Sequence, residues 1–581
     1  MRFVLAIISF ILAAIMIGYG IAQRTILAEP DEVALSTIVK TDAAVSVIDG
    51  ASLNAFEGSQ TLLLQGPGEV FAAYGRTADV LAWVGDAAYN SVSVDSVTGV
   101  LVSELVRGSE NEVPDPNGSD LWLDDFVTDK ELTLTVNVPA SVSFIIVSDG
   151  VAPAPNRIGL SWPLDNSTPW SVPLIGGGAI VLLMGLGFLL WATNHMRKAG
   201  GPRRKPQKMP KVPRQPRYKP SRKAIQKPAS GRRATRGMIA VPVVLVGSLV
   251  LSGCSANFWP DLGGAPTSAP SPEASGPPED SGMPAPAATV RQVERIIGRI
   301  SLVAEEADAA RDATLIETRF TAAALELRLA NYAIVTADPS LTPLAPIPNW
   351  PVVITLPQQT DSWPRAIFVV LKDDQDNTNQ PLALFLVQAD PRSDYKVSYA
   401  LEASQNIPPV AEASVGTARL APDSPLLRMS PNELALAYAD ILEKDVESNS
   451  FLDFEADGDT LREAVGLAAK KAQAAALPTT AAITFAHALG PAEAIALATN
   501  DAGAIVAVNL YETTKVAPVE AGAAVNPTGS VKALSGVAVS TKGVMATYSD
   551  QLLFYVPATG AQGKIILLGY SQGLVKAAEL G

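Results

Sequence analysis

Few side chains in this sequence stand where their types and spacing would do chemistry. Cys254 is the sole cysteine, so one thiol nucleophile is available, and neither an intramolecular disulfide nor a multi-thiolate zinc site can form. The only histidines, His195 and His487, fall in different segments, which argues against clustered-imidazole metal or acid–base chemistry. Ser571 lies in Gly569-Tyr570-Ser571-Gln572-Gly573. On a strand–turn–helix, that spacing lifts a serine hydroxyl into the open for nucleophilic attack. An apolar strand precedes it and Leu574–Glu579 suits a helix, but a serine nucleophile needs a base within hydrogen-bond reach. Neither His nor Asp follows Gly573, and His487 is upstream. The simpler expectation is a last strand turning at two glycines. Asp453, Glu455, Asp457 and Gly458 are spaced like the front of a calcium loop, but the position for the closing bidentate Glu is Ala464, and Glu463 is one place early. Helix capping by Asp459 or Thr460 accounts for these acids. Lys372–Asn377 also alternates acids but lacks the glycine and closing Glu, and predicts a polar hairpin loop. His487, between Phe485 and Leu489, is expected to be a core or surface histidine. There is no P-loop or dinucleotide fingerprint, so no catalytic residue, metal or cofactor is expected.

The surroundings of Cys254 are more telling. Arg232, Arg233 and Arg236 precede the apolar run Met238–Cys254, which closes on Leu251, Ser252, Gly253 and Cys254. This order resembles the lipobox of bacterial lipoproteins. The resemblance implies cleavage before Cys254 and a diacylglycerol on its thiol. Lipoprotein signals are N-terminal, however, and this one is internal. The chain therefore looks like a two-span membrane protein joined to a lipoprotein, with Met209 or Met238 as a second possible start. The alternative is a plain third span with a buried cysteine. The Ser571 pentapeptide in turn looks like the serine motif of cutinase-type hydrolases, whose order of acid and histidine after the serine is not met.

Two further apolar segments set the frame. Phe3–Ala22 carries no charge, and twenty helical residues at about 1.5 Å each span a ~30 Å hydrocarbon core. It is either an anchor or a cleaved signal ending near Gly20-Ile21-Ala22. Val172–Thr193 is bracketed by Trp170 and Trp191, as interfacial aromatics bracket a span. Between Arg197 and Arg236 stand 16 Lys or Arg and no Asp or Glu, leaving 28 basic against 58 acidic residues elsewhere, a net of −30. Basic residues stay cytoplasmic, so the loop 194–237 is predicted inside, with 24–171 and everything after Cys254 outside. Its prolines forbid stable helix. The loop suits anionic lipid, and with Tyr218 as its lone aromatic it gives no support to nucleic-acid binding.

The exposed regions read as an all-β sandwich over 24–171 and an α+β region of two tandem cone-like units, 289–425 and 426–581. In the first, Leu132, Leu134, Val136 and Val138 alternate with polar residues. Ser91–Asp95, Thr61–Leu64 and Ser143–Val147 add strands, and Gly66-Pro67-Gly68, Asn117-Gly118 and Asp149-Gly150 mark turns. This stretch holds 20 acidic and 5 basic residues over 31–171. A Pro/Ser/Ala-rich linker, 255–288, follows the cysteine. Beyond it, Val290, Val293, Ile297, Ile300 and Val303 predict one helix, and Ile316, Phe320, Leu327 and Tyr332 a second. Strands follow at 366–371, 382–387 and 395–401. Capping boxes at Ser430–Glu433 and Thr460–Glu463 open further helices, and strands return at 504–511, 551–556 and 564–570. Two helices and then a curved antiparallel sheet are similar in order to nuclear-transport-factor-like and cystatin-like domains, which include enzymes and pure binding domains. The expectation is a membrane-anchored bacterial envelope protein, non-enzymatic, that binds a protein, glycan or peptide. The alternative is an envelope hydrolase or transferase with dispersed carboxylates.

Overall fold

A computed structural model describes residues 2–27, 30–164, 170–199, 283–376, 378–403 and 406–581. Cys254, its preceding Leu251, Ser252 and Gly253, the apolar segment 238–254 and most of the basic loop lie outside the described residues. The chain divides into two compact units.

The first unit is a helix pair, α1 (Arg2–Thr25) and α4 (Ser171–Ala199), each long and apolar enough to cross a membrane. Glycines let them touch. A Cβ at Gly178 would stand 2.6 Å from Ile17 Cγ1, one at Gly185 would meet Ser9 and Phe10 at 3.2 Å, and Gly20 sits against Ile175. Numbers fall along one helix as they rise along the other, so the pair is antiparallel and held by small-residue packing. Ile7, Ile11, Ile15, Ile180, Leu183 and Leu190 remain exposed on its outside.

The second unit opens with an all-but-closed β-barrel. Its elements are β1 (Glu32–Ile38), β2 (Val45–Ile48), α2 (Gly50–Leu53), β3 (Gln60–Arg76), α3 (Thr77–Val84), β4 (Tyr89–Val94), β5 (Leu101–Val106), β6 (Asp124–Val136), β7 (Val142–Val147) and β8 (Arg157–Pro163). They form one sheet in the order β1-β8-β3-β7-β2-β4-β5, with β6 added on β3. The end strands β1 and β5 approach each other, so a single rolled sheet replaces the expected sandwich. The reason lies in β3. Gly66-Pro67-Gly68, expected as a turn, is a bend within this 17-residue strand. Before it, Thr61–Gln65 pair with β8, and after it Phe71–Arg76 pair with β7. Such irregularities re-aim a strand and let a sheet curl. Leu62, Leu64, Val70, Ala72, Phe144 and Ile146 fill the interior. Phe71, Ala73, Ile145 and Val147 face outward under Trp83 and Trp122.

The C-terminal domain contains α5 (Val290–Ala310), α6 (Ala313–Glu317), α7 (Ala322–Ala337), β9 (Val352–Pro357), β10 (Arg365–Leu371), β11 (Leu382–Gln388), β12 (Lys396–Ala403) and β13 (Arg419–Leu420). It continues with α8 (Pro431–Lys444), α9 (Thr460–Val465), α10 (Leu467–Ala476), β14 (Ala481–Leu489), β15 (Ile495–Ala498), β16 (Ala504–Pro518), α11 (Gly529–Ser535), β17 (Val544–Val556) and β18 (Ile566–Glu579). Thr289 and Gln292 form a capping box at the start of α5. The second predicted helix is broken, because Arg319 and Thr321 pair their backbones with Val397 of β12 between α6 and α7. Asp459, not Thr460, caps α9, and Ser430 bonds the Glu433 side chain at the head of α8.

The two expected units share one antiparallel sheet, ordered β13-β15-β16-β17-β18-β12-β11-β10-β9, with β14 on β16. They join where Ala403 pairs with Gly569. Alternate residues separate three apolar layers. Ile367, Val369 and Leu371 pack under α5 and α7, and Val506, Val508 and Leu510 under α8. Phe368, Val370, Ile505, Ala507 and Leu553 fill a layer between the halves. Helices therefore lie outside and the two sheet halves face each other.

Barrel and C-terminal domain belong to the same compact unit, and arginines join them. Asp79, 4% exposed, accepts from Arg76 and, at 2.6 Å, from Arg365. Asp120, fully buried, takes Arg299 at 3.1 Å, Arg319, and the Tyr395 amide at 3.0 Å. Arg295 donates to the Trp122 and Leu123 carbonyls, and Arg392 to those of Trp83 and Val84 and to Glu110.

Candidate functional site

The long strands β16, β17 and β18 extend past the end of α8, and the same face that packs against α8 continues into a cavity of about 610 Å³. Along β16 the inward positions run Val506, Val508, Leu510, Glu512, Thr514 and Val516. The pairing His487↔Glu512↔Tyr548 and Asp550↔Gln572 brings side chains of four strands to that face. Phe485, Val516, Val544, Ala546, Leu477 and Val531 form much of the wall, with Gln473, Thr514, Asn526 and Thr528 among them.

An ionic cluster lies beside the cavity and reaches its lining through Glu512. Lys470, on α10, meets Glu512 at 2.7 Å, both side chains being almost fully buried. The same ammonium donates to the Val465 carbonyl and lies 5.6 Å from the Phe485 ring centroid. His487 Nε2 is 3.9 Å from Glu512 Oε1, and neither of its ring nitrogens has a hydrogen-bond partner. Burial, with Lys470 nearby, lowers His487 to about 4, so its imidazole is neutral at pH 7. Asp550 is fully buried and accepts from Gln572 at 2.9 Å through Oδ1, while its Oδ2 is unpartnered. Burial, reinforced by the Glu512 charge, raises Asp550 to about 7. Burial and Glu512 also raise the Tyr548 phenol. Of these residues Glu512, Tyr548 and Gln572 line the cavity, while Lys470, His487 and Asp550 are not part of its lining.

The sites considered from sequence fall elsewhere or serve structure. Ser571 lies inside β18, opposite Gln551, with strand on both sides. No elbow forms there, and Leu574–Glu579 is strand rather than helix. The flanking glycines answer to packing: a Cβ at Gly569 would stand 2.1 Å from the Glu402 carbonyl oxygen, and one at Gly573 2.3 Å from Leu327. In the calcium-like loop, Asp453 pairs with Arg428 at 2.9 Å and Glu455 with Lys564 at 3.8 Å. Asp459 caps α9 and takes the Tyr438 hydroxyl. No group of three metal-binding side chains occurs among the described residues. Asp373 holds the hairpin between β10 and β11 by accepting from the Gln375 and Asp376 amides. His195 is exposed near the end of α4. The lipobox residues, with Cys254, lie outside the described residues. Sequence reasoning passed over Lys470, Glu512, Asp550 and Gln572, which come from four elements. A visible sign was Glu512, the one charge on the inward row of β16.

Comparison with known proteins gives one finding: residues 284–579, just over half of the chain, match the profile of a family described as a domain of unknown function (DUF8094). No curated protein and no solved structure matches.

Proposed function

The chain belongs to the DUF8094 family, and on that premise we propose that it is a membrane-held binding protein whose family domain holds a small ligand with apolar and polar parts in an open cleft. The cavity beside the Lys470–Glu512–His487 cluster carries the reading. Its volume is that of a small-molecule site, and its walls are apolar and polar in about equal measure. The lining favours a ligand head that donates hydrogen bonds, such as a hydroxyl, amide or ammonium. Glu512 offers an acceptor, whereas the Lys470 ammonium is already engaged by Glu512, Val465 and the Phe485 ring. An anionic head would meet Glu512 with no Lys or Arg among the described residues that line the cavity. In this reading α1 and α4 span a bacterial membrane, the basic loop lies inside against anionic lipid, and barrel and family domain lie outside. Cys254 carries a lipid, as its lipobox resemblance implies. Likeness in element order to nuclear-transport-factor-like domains agrees with such use of a helix-covered curved sheet.

A second reading, carboxylate-based hydrolysis or group transfer, draws on Glu512 and on Asp550, whose burial raises it to about 7. Asp550 lies fully buried with Gln572 on it, which favours binding over chemistry. The test is titration of the purified full chain with N-phenyl-1-naphthylamine, an apolar fluorophore with one N–H donor. Saturable 1:1 binding is expected, lost in Ala546→Phe and at least tenfold weaker for the anionic analogue 1-anilinonaphthalene-8-sulfonate. Binding unaffected by Ala546→Phe would overturn the assignment.

A further inference from the structure

The joint between barrel and family domain has a consequence independent of what the cavity holds. We infer that this joint is a self-sufficient docking surface: an arginine face on the family domain fits the acidic barrel and holds it without the covalent connection through residues 164–283. Arg295, Arg299, Arg319, Arg365 and Arg392 all reach barrel acids, with Arg76–Asp361 running the other way. The two central carboxylates are shielded from water, and each is shared by two guanidinium groups. Parting the lobes would strip Asp120 of both guanidinium partners and leave Asp79 with Arg76 alone.

The contacts are also specific in shape. Guanidinium and amide donors from Gln292, Arg295, Arg299 and Arg392 reach main-chain carbonyls of Gly118, Leu121, Trp122, Leu123, Trp83 and Val84. These acceptors are placed correctly only by a folded barrel, so the surface recognises a conformation as well as a charge. Trp363 adds an apolar contact on the layer around Trp83 and Trp122, and its ring lies 3.6 Å beneath the Arg365 guanidinium. The joined residues are 171 to 309 positions apart in sequence. A long tether supplies only a modest effective concentration, so the contacts themselves hold the lobes together. Asp79, Glu110, Asp120 and Asp124, four of the 20 acidic residues in 31–171, thereby acquire a use, as the complement of the arginine face. The protein then works as a two-piece assembly whose family domain stays on the membrane-held barrel after a cut between them.

The test uses the full chain with a specific protease site placed between residues 256 and 282, purified in detergent and cut to completion. The two pieces are expected to co-elute on size exclusion, at 1 M salt and after dilution to nanomolar concentration. The paired variant Asp79→Arg with Asp120→Arg should weaken association at least 100-fold. Because it also threatens the barrel itself, the edge pair supplies a second arm. Glu110→Arg alone should weaken association about tenfold and Arg392→Glu alone by more, since it also loses the bonds to the Trp83 and Val84 carbonyls, and the two together should associate more tightly than Arg392→Glu alone. Separation of the cut wild-type pieces, each still folded by circular dichroism, would overturn the inference. So would cut pieces that stay together equally well in every variant.

Discussion

Asp550 and His487 oppose each other in their response to pH. Asp550, raised to about 7, keeps its proton in the folded chain between pH 4 and 7 while the unfolded chain has lost it. It therefore lowers stability as pH rises through that range. His487, held near 4, stays neutral in the fold while the unfolded chain takes up a proton below pH 6.5. It therefore raises stability as pH climbs from 4 to 6.5. The two slopes cancel over that shared window, leaving a decline only from about 6.5 to 7. Asp550→Asn should uncover a rise of at most about 3 kcal/mol, and His487→Asn a continuous fall of at most about 4 kcal/mol, in urea titrations across pH 4–8. Unchanged profiles would contradict the burial assigned to both groups. At the joint, Arg365→Ala strands the buried Asp79 beside Arg76 alone, and should cost about 3–5 kcal/mol in chemical denaturation. Ser571→Ala, inside a strand, should change stability by less than about 1 kcal/mol. Residue chemistry was legible where it was local, as at Asp373 and Asp459. It was hidden where four strands and a helix assemble one cluster, because the partners of Glu512 are fixed by pairing rather than by spacing.

Among the elements, β18 is the one on which most depends. It pairs along its length with β17 and reaches β12 only at Ala403 and Glu402, where the two halves of the sheet meet. Gly569→Ala would press a methyl into the Glu402 carbonyl, a backbone atom that cannot turn aside. It should destabilise the domain by more than about 2 kcal/mol, read by thermal or chemical unfolding. Gly573→Ala meets only the end of the Leu327 side chain and should cost less. In the helix pair, Gly178→Leu should reduce oxidative cross-linking between cysteines introduced at Phe10 and Gly185, in a chain carrying Cys254→Ala. The predicted strands of the C-terminal domain were legible from their apolar runs. β14 was not, since Ala481–Leu489 is alanine-rich and carries little β-branched signal. The break between α6 and α7 escaped notice because a tertiary contact, the bridge to Val397, overrides a continuous helical pattern.

For the whole molecule, the sequence announced two apolar helices and a change of composition after them, because length and charge are local properties. It could not announce that the N-terminal sheet rolls up, since the approach of β1 to β5 depends on how β3 bends between its neighbours. Nor could it announce that two α+β units share one sheet, because β18, last in order, closes on β12. Ligand binding in the cavity beside Glu512 is the central proposal. The most direct test is native mass spectrometry of the full chain extracted from its membrane. Wild-type protein should carry a small neutral or cationic molecule at one per chain. That mass should be absent from Ala546→Phe, a variant that should keep its circular dichroism spectrum though with a lowered melting temperature, since Ala546 packs against Ile334 and Leu574. Finding the same adduct on both proteins, or an anionic one on the wild type, would contradict it.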